Sequence, residues 1–199
     1  MAMMRAREKI LHAAERLFAE RGLGVSLREI AAAAGQRNNS AVQYHFGGRA
    51  GLVEALYEFR MTPLNLRRRE LIAELRASGR ETDLAALVEC FVGPLSEHVL
   101  AHGGETWYLR FSSRYVLSGG YRHWPFSSEH HSGVNELVPL LHARVPGLTE
   151  ERLRVMFLHT VMVLADLEQR SGAPGFGRAD AEAAAADLRT TAAALLTAG

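Results

Sequence analysis

The apolar residues of this chain recur at three- and four-residue intervals along nearly its whole length, and no run alternates as a half-buried strand requires. That periodicity restricts the chain to helices packed on helices. The clearest stretch is 4–21, where Ile10, Leu11, Ala14, Leu17 and Phe18 share one stripe before Gly22 and Gly24 end the helix. Ser26, with Glu29 three residues on, predicts a capping box for a helix near 27–33 that buries Leu27, Ile30, Ala31 and Ala34 and stops at Gly35. The polar stretch from Gln36 to Asn39 leads into a third helix over 40–46, broken by Gly47 and Gly48. A long helix is expected over 49–77, with Leu52, Leu56 and Phe59 on one side. Pro63 is expected to kink or interrupt it, because it removes a backbone donor and clashes with the preceding turn.

The same pattern predicts five further helices, over 83–101, 104–118, 133–144, 149–171 and 178–197, with Pro94 as a second kink. They are separated by a glycine- and aromatic-rich loop running to His131, by Val145-Pro146-Gly147 and by a loop over 172–177. The reading is an all-α fold of about nine helices. Residues 1–48 form a domain of three helices, and residues 49–199 a larger helical bundle.

Charge is divided unevenly between the two parts. Residues 1–49 hold eight basic and four acidic residues, net +4, and the rest hold 15 basic and 18 acidic, net −3. A basic head on a mildly acidic body suits a polyanionic partner for the head. No apolar run approaches the roughly 20 residues of a membrane span, and no signal-peptide pattern opens the chain, so no membrane partner is expected. Cys90 is the only cysteine, which rules out an intrachain disulfide and fits a reducing cytoplasm.

Three short helices, the second and third joined through Gly35, make the arrangement in which the third enters the DNA major groove. Arg37, Asn38, Asn39, Ser40 and Gln43 carry donors and acceptors suited to base edges. Ser26, Arg28, Tyr44, His45 and Arg49 complete the candidate DNA-binding set; hydroxyl, imidazole and guanidinium groups suit phosphate oxygens.

Ile10, Leu11, Ala14, Leu17, Phe18, Glu20 and Gly22, then Ser26, Ile30, Ala31, Ala34 and Gly35, then Val42, Tyr44, His45, Phe46, Arg49 and Leu52 resemble, in this order, the DNA-binding domain of TetR-type repressors (the TetR/AcrR family). The resemblance runs from Ile10 to Ala55. It implies a two-domain, nine-helix homodimer on a palindromic operator of double-stranded DNA, with a C-terminal pocket whose small-molecule effector releases the DNA. Two departures stand out. The stretch from Gly35 to Phe46 is one residue longer than the usual pattern, and Gln43 stands where the family often has an aromatic phosphate contact.

The body offers weaker signals. Phe91, Trp107, Phe111, Tyr115, Met156, His159 and Met162 are the candidate effector-pocket residues, drawn from an aromatic and methionine content that mostly belongs to core. His98 and His102 share a helix face at chelating spacing, but no second matching pair accompanies them and no metal or other cofactor is expected. No nucleophile elbow, phosphate loop or dinucleotide fingerprint is present, so the chain is not read as an enzyme. The alternative is a helical enzyme or metal-binding protein with a vestigial DNA-binding head. The stripes Leu153, Met156, Phe157, Thr160, Val161, Leu164 and Ala181, Ala184, Ala185, Leu188, Ala192, Leu195, Leu196 predict a homodimer through 149–171 and 178–197.

Overall fold

The structure is a computed structural model that describes residues 2–36, 38, 40–120 and 132–198. Among them are nine α-helices and no strand: α1 (Ala2–Arg21), α2 (Leu27–Ala33), α3 (Ala41–Phe46), α4 (Arg49–Ala77), α5 (Leu84–His102), α6 (Tyr108–Tyr115), α7 (Ser132–Arg144), α8 (Glu150–Arg170) and α9 (Arg178–Thr197). The stripes of α1 and α2 close on Val42, Leu52 and Leu56, and Ile10, Ala14, Phe18, Ile30 and Ala31 are fully buried there. In the body α5 is the central helix, packed against α4, α7, α8 and α9. By length and composition α5 is apolar enough to cross a membrane, contrary to the expectation from sequence. Most of that apolar surface is core, buried by its four neighbours.

Local signals explain most helix ends. Ser26 caps α2 in the predicted box, its Oγ accepting from the Glu29 N–H at 3.2 Å while the Glu29 carboxylate accepts from the Ser26 N–H at 3.0 Å. Asp83 and Thr149 cap α5 and α8 through their side chains.

Three expectations are corrected. Pro63 does not interrupt α4, which runs unbroken from 49 to 77. It lies exposed on the helix surface, where the carbonyl it leaves without a donor can be hydrated. The helix expected over 104–118 begins four residues late, at Tyr108, and ends at Tyr115 in a π-type turn, Val116–Gly120. Gly104, at φ 91°, holds the chain out of the helix, and its backbone packs so tightly on Gly172 that a Cβ there would meet Gly172 Cα at 2.7 Å.

The third correction concerns α8 and α9. Leu153, Met156, Phe157, Thr160, Val161 and Leu164 of α8 are buried within the single subunit, as are Ala181, Ala185, Leu188, Ala192 and Leu196 of α9. The two helices pack on each other and on α5 and α6, so these stripes are the subunit's own core and not a surface awaiting a second copy. Their outer faces carry Val155, 38% exposed, and the half-buried Leu158, Met162 and Val163.

Candidate nucleic-acid interface and its link to the body

Between α2 and α3 the chain turns at Gly35, which takes the left-handed φ of 68° that glycine adopts without strain. Asn38 then organises the entry to α3. Its Oδ1 accepts from the Ser40 N–H at 2.9 Å and its carbonyl from the Ala41 N–H at 3.0 Å, a local turn closed by the side chain. Asn38 keeps its amide N–H groups and the second lone pair of its Oδ1 for another partner.

On α3, Ala41 and Val42 face the core, Gln43 and Tyr44 face outward, and Tyr44 is 75% exposed. Its ring and hydroxyl therefore stand largely in solvent, within reach of a partner on this face. His45 is half-buried, with its ring edge-on to Tyr44 at 5.1 Å. Gln43 Nε2 donates to the Gly47 carbonyl at 3.1 Å, fixing the side chain along the end of α3. Gly51 sets the angle between α3 and α4: a Cβ there would lie 2.0 Å from the Phe46 carbonyl oxygen, so only glycine lets α4 start this close to α3.

The remaining sequence-predicted DNA residues are placed less uniformly. Ser26 and Arg28 are exposed beside α2. Ser26 is engaged with Glu29, whose carboxyl is held at about 2 by hydrogen bonds from Ser26 and then Arg21. Arg49 turns inward and donates to the Leu23 carbonyl, so in this conformation it ties α4 to the loop after α1. Arg37 and Asn39 lie outside the described residues, as do Trp124, His123, His130 and His131.

Sequence reasoning missed the charged residues that join head to body. Glu15 of α1 is 1% exposed and takes a bidentate pair from Arg60 of α4, at 2.6 and 2.9 Å. The same carboxylate accepts from the Trp107 N–H at 3.3 Å, at the start of α6. Glu168 of α8, also buried, accepts from the Leu109 and Arg110 N–H groups at 3.2 and 3.0 Å, so two buried carboxylates serve the donors of α6's first turn. Burial raises the Glu168 pKa against the opposing pull of those N–H groups. At its other end α6 grips the head again: Arg114 Nε donates to the Ala19 carbonyl at 2.7 Å, and Phe111 stacks on Phe18 at 6.0 Å. An acidic residue inside an apolar stripe was the available signal for Glu15; its partners could be found only from the tertiary structure.

Of the seven candidate pocket residues, only Phe91 lines the cavity among α4–α8, which holds about 20 Å³ and is otherwise lined by residues including Met61, Arg68, Tyr108, Ser112 and Phe157. Phe111 is wholly buried between Phe18 and Tyr115. Trp107 precedes α6 and Met156 packs in the core. His159 bonds Thr191 at 2.8 Å across the outer edge of α8 and α9, and Met162 is half-buried. His98 and His102 stack at 4.4 Å, but their ring nitrogens meet Thr106 and the His98 carbonyl, and no three-residue metal cluster occurs among the described residues.

Comparison with known proteins fits this geometry. Residues 10–56, the head and the start of α4, match the model of bacterial regulatory proteins of the tetR family. The solved structure of a gamma-butyrolactone receptor (ArpA-like protein) is similar over 95% of this chain and 99% of its own, with a TM-score of 0.52 and 20% identity. A TetR-family regulator from Streptomyces coelicolor A3 aligns over 97% of this chain and 95% of its own, with 21% identity and a TM-score of 0.37. No curated protein sequence matches the chain. The family match is thus confined to the domain that α1 to the start of α4 build, which is similar to the DNA-binding domain of bacterial regulatory proteins of the tetR family.

Proposed function

We propose that this DNA-binding regulator is a ligand-responsive repressor: a cytoplasmic homodimer that holds a palindromic operator through two copies of α3 and lets go when a small molecule enters the body. The observation that carries the reading is the grip of α6 on α1 at both ends, through Glu15 and Arg114. Because α6 also walls the cavity through Tyr108, Leu109 and Ser112, a molecule that displaces α6 moves the head with it. A ligand can do this only if it favours the displaced state over the DNA-competent one. The gamma-butyrolactone receptor's name supports a small-molecule effector as the class of signal.

The outer faces of α8 and α9, with Val155, Leu158 and Met162, are the proposed dimer surface. A two-fold axis there sets the two heads for half-sites about 34–36 Å apart, or somewhat more on a stretched operator. The test is a gel shift with duplexes carrying palindromes from the DNA flanking the gene, repeated with extracts or candidate effectors. One retarded species of dimer stoichiometry that dissolves on effector addition is expected. No retardation of any palindrome at low salt would overturn the reading.

A further inference from the structure

Among the described residues Arg68 is the largest fully buried side chain, and it has no carboxylate partner there. Its position follows from Pro94. A proline at 94 cannot donate to the Cys90 carbonyl four residues back, and Arg68 Nε supplies that missing donor at 3.1 Å. Nη1 donates to Asn65 Oδ1 at 2.7 Å and Nη2 to the Phe91 carbonyl at 3.3 Å. These contacts use three of the five N–H donors of a guanidinium and neutralise none of its charge. Burial lowers the Arg68 pKa to about 10, which still leaves it a cation at neutral pH.

The carbonyl that Pro94 leaves without a donor could be served by a neutral amide, without the penalty of a charge without a counter-charge taken out of water. The charge is met in the fold only by the face of the Phe91 ring, 5.6 Å from the guanidinium carbon, and by no carboxylate among the described residues. Arg68 lines the cavity described above from α4, and from α6 the same cavity is lined by Ser112, whose Oγ is the one described buried side-chain oxygen without a hydrogen bond. The Ser112 hydroxyl is near enough to Tyr108 to ease that phenol's ionisation, but not in hydrogen-bond geometry. Tyr108 instead directs its hydroxyl at Met61 Sδ, a weak acceptor, at 3.1 Å. A cation with spare donors, an unsatisfied hydroxyl and a poorly satisfied phenol thus converge on one cavity whose other lining is mostly apolar, including Leu95, Val134, Phe157 and Val161, with Tyr57 beside them.

We propose that this is the headgroup subsite of the effector pocket, and that the effector is an organic acid: a carboxylate held by Arg68 and Ser112, carried on an apolar body. The assignment rests on the ligand-responsive reading above and specifies the chemistry of its ligand. At about 20 Å³ the cavity admits one water-sized group, which is the scale of a headgroup and not of a whole effector. The body of the acid must part α6 from α4 and α8 to follow it. The acid favours the parted state because only there does Arg68 gain its counter-charge.

The test is calorimetric titration of the full-length protein with straight-chain carboxylates from butanoate to dodecanoate and with the primary amide of each. The expected result is that at least one acid binds at least about ten-fold more tightly than its amide, the size of one charge-assisted hydrogen bond. Arg68→Gln should erase that preference while leaving amide binding within a few-fold. If Arg68→Gln does not fold, Ser112→Ala, which only removes an unsatisfied hydroxyl, should reduce the preference by a few-fold. Acid and amide binding alike, no member binding, or the preference surviving in the folded variants would each overturn the assignment. A neutral effector that releases DNA in the gel shift would also overturn it, while leaving the ligand-responsive reading intact.

Discussion

Glu15 and Arg60 meet in a bidentate pair, with 1% and 14% of their side chains exposed, and the carboxylate lies between the first helix of the head and the first turn of α6. A buried carboxylate in this position joins α1 to α4 and to the start of α6 by directional bonds, where an apolar contact would let them slide. Its geometry is fixed by directional bonds on two sides, so a shift of α6 is transmitted to α1.

Removing one partner of such a pair leaves the other buried and uncompensated. Glu15→Ala should therefore lower stability by about 3 kcal/mol, read from urea midpoints at neutral pH. Glu15→Gln with Arg60→Met, which removes both charges and keeps volume, should recover most of that loss. Equal losses in the single and double variants would mean that the pair contributes packing only.

Gly51→Ala tests the steric basis of the α3–α4 angle. The new Cβ would lie 2.0 Å from a backbone oxygen, which cannot rotate away as a side chain could, so α3 must move. A loss of stability of about 1–3 kcal/mol is expected, with operator affinity reduced further than that destabilisation explains at concentrations where the variant is folded. Affinity unchanged in a folded variant would show that the start of α4 does not position α3.

His98 gives the fold a defined acid sensitivity. Burial, with Arg60 and His102 adding positive charge nearby, pulls its pKa down from 6.5 to about 3. The folded protein keeps His98 neutral above about pH 3, while the unfolded chain protonates it near 6.5. The unfolded state therefore binds the extra proton between those values, and stability falls as pH drops from about 6.5 toward 3. His98→Gln removes this term, so its urea midpoint should decline less than the wild type's over that range. Parallel declines would contradict the shift.

Much of the fold was legible because helical periodicity and caps are local. The stripe of α1, the Ser26–Glu29 box and the stop at Gly35 need only neighbours in sequence to be read, and the structure keeps them. The same local logic fails where a residue's partner is remote. Pro94 predicts a kink, but nothing near it in sequence says that Arg68 serves the freed carbonyl. The stripes of α8 and α9 were equally visible, yet a stripe does not say whether it faces its own subunit or a second one. Pocket lining is hard to read for a related reason: aromatics such as Phe111 are drawn into the dense head–body contact, while the wall of the cavity among α4–α8 includes polar residues that no apolar pattern marks.

For the dimer, the informative variants are on the outer face. Met162→Glu with Val155→Glu should convert the species seen by sedimentation at micromolar concentration to the 21.9 kDa subunit with little loss of helix content. A charge placed at Leu188 would unfold the core instead and could not separate the two effects. A monomeric wild type would refute the dimer outright.

Selection of binding sites from random duplex DNA by the full-length protein tests most directly whether α3 reads an operator. Wild type should select a dyad-symmetric site. Gln43→Ala should relax one position in each half-site, by about 1–3 kcal/mol if the contact is bidentate. Tyr44→Phe should weaken all sites alike, as expected for a lost phosphate contact. Selection of the same site, at the same affinity, by a folded protein carrying Asn38→Ala, Gln43→Ala and Tyr44→Ala together would contradict the assignment of α3.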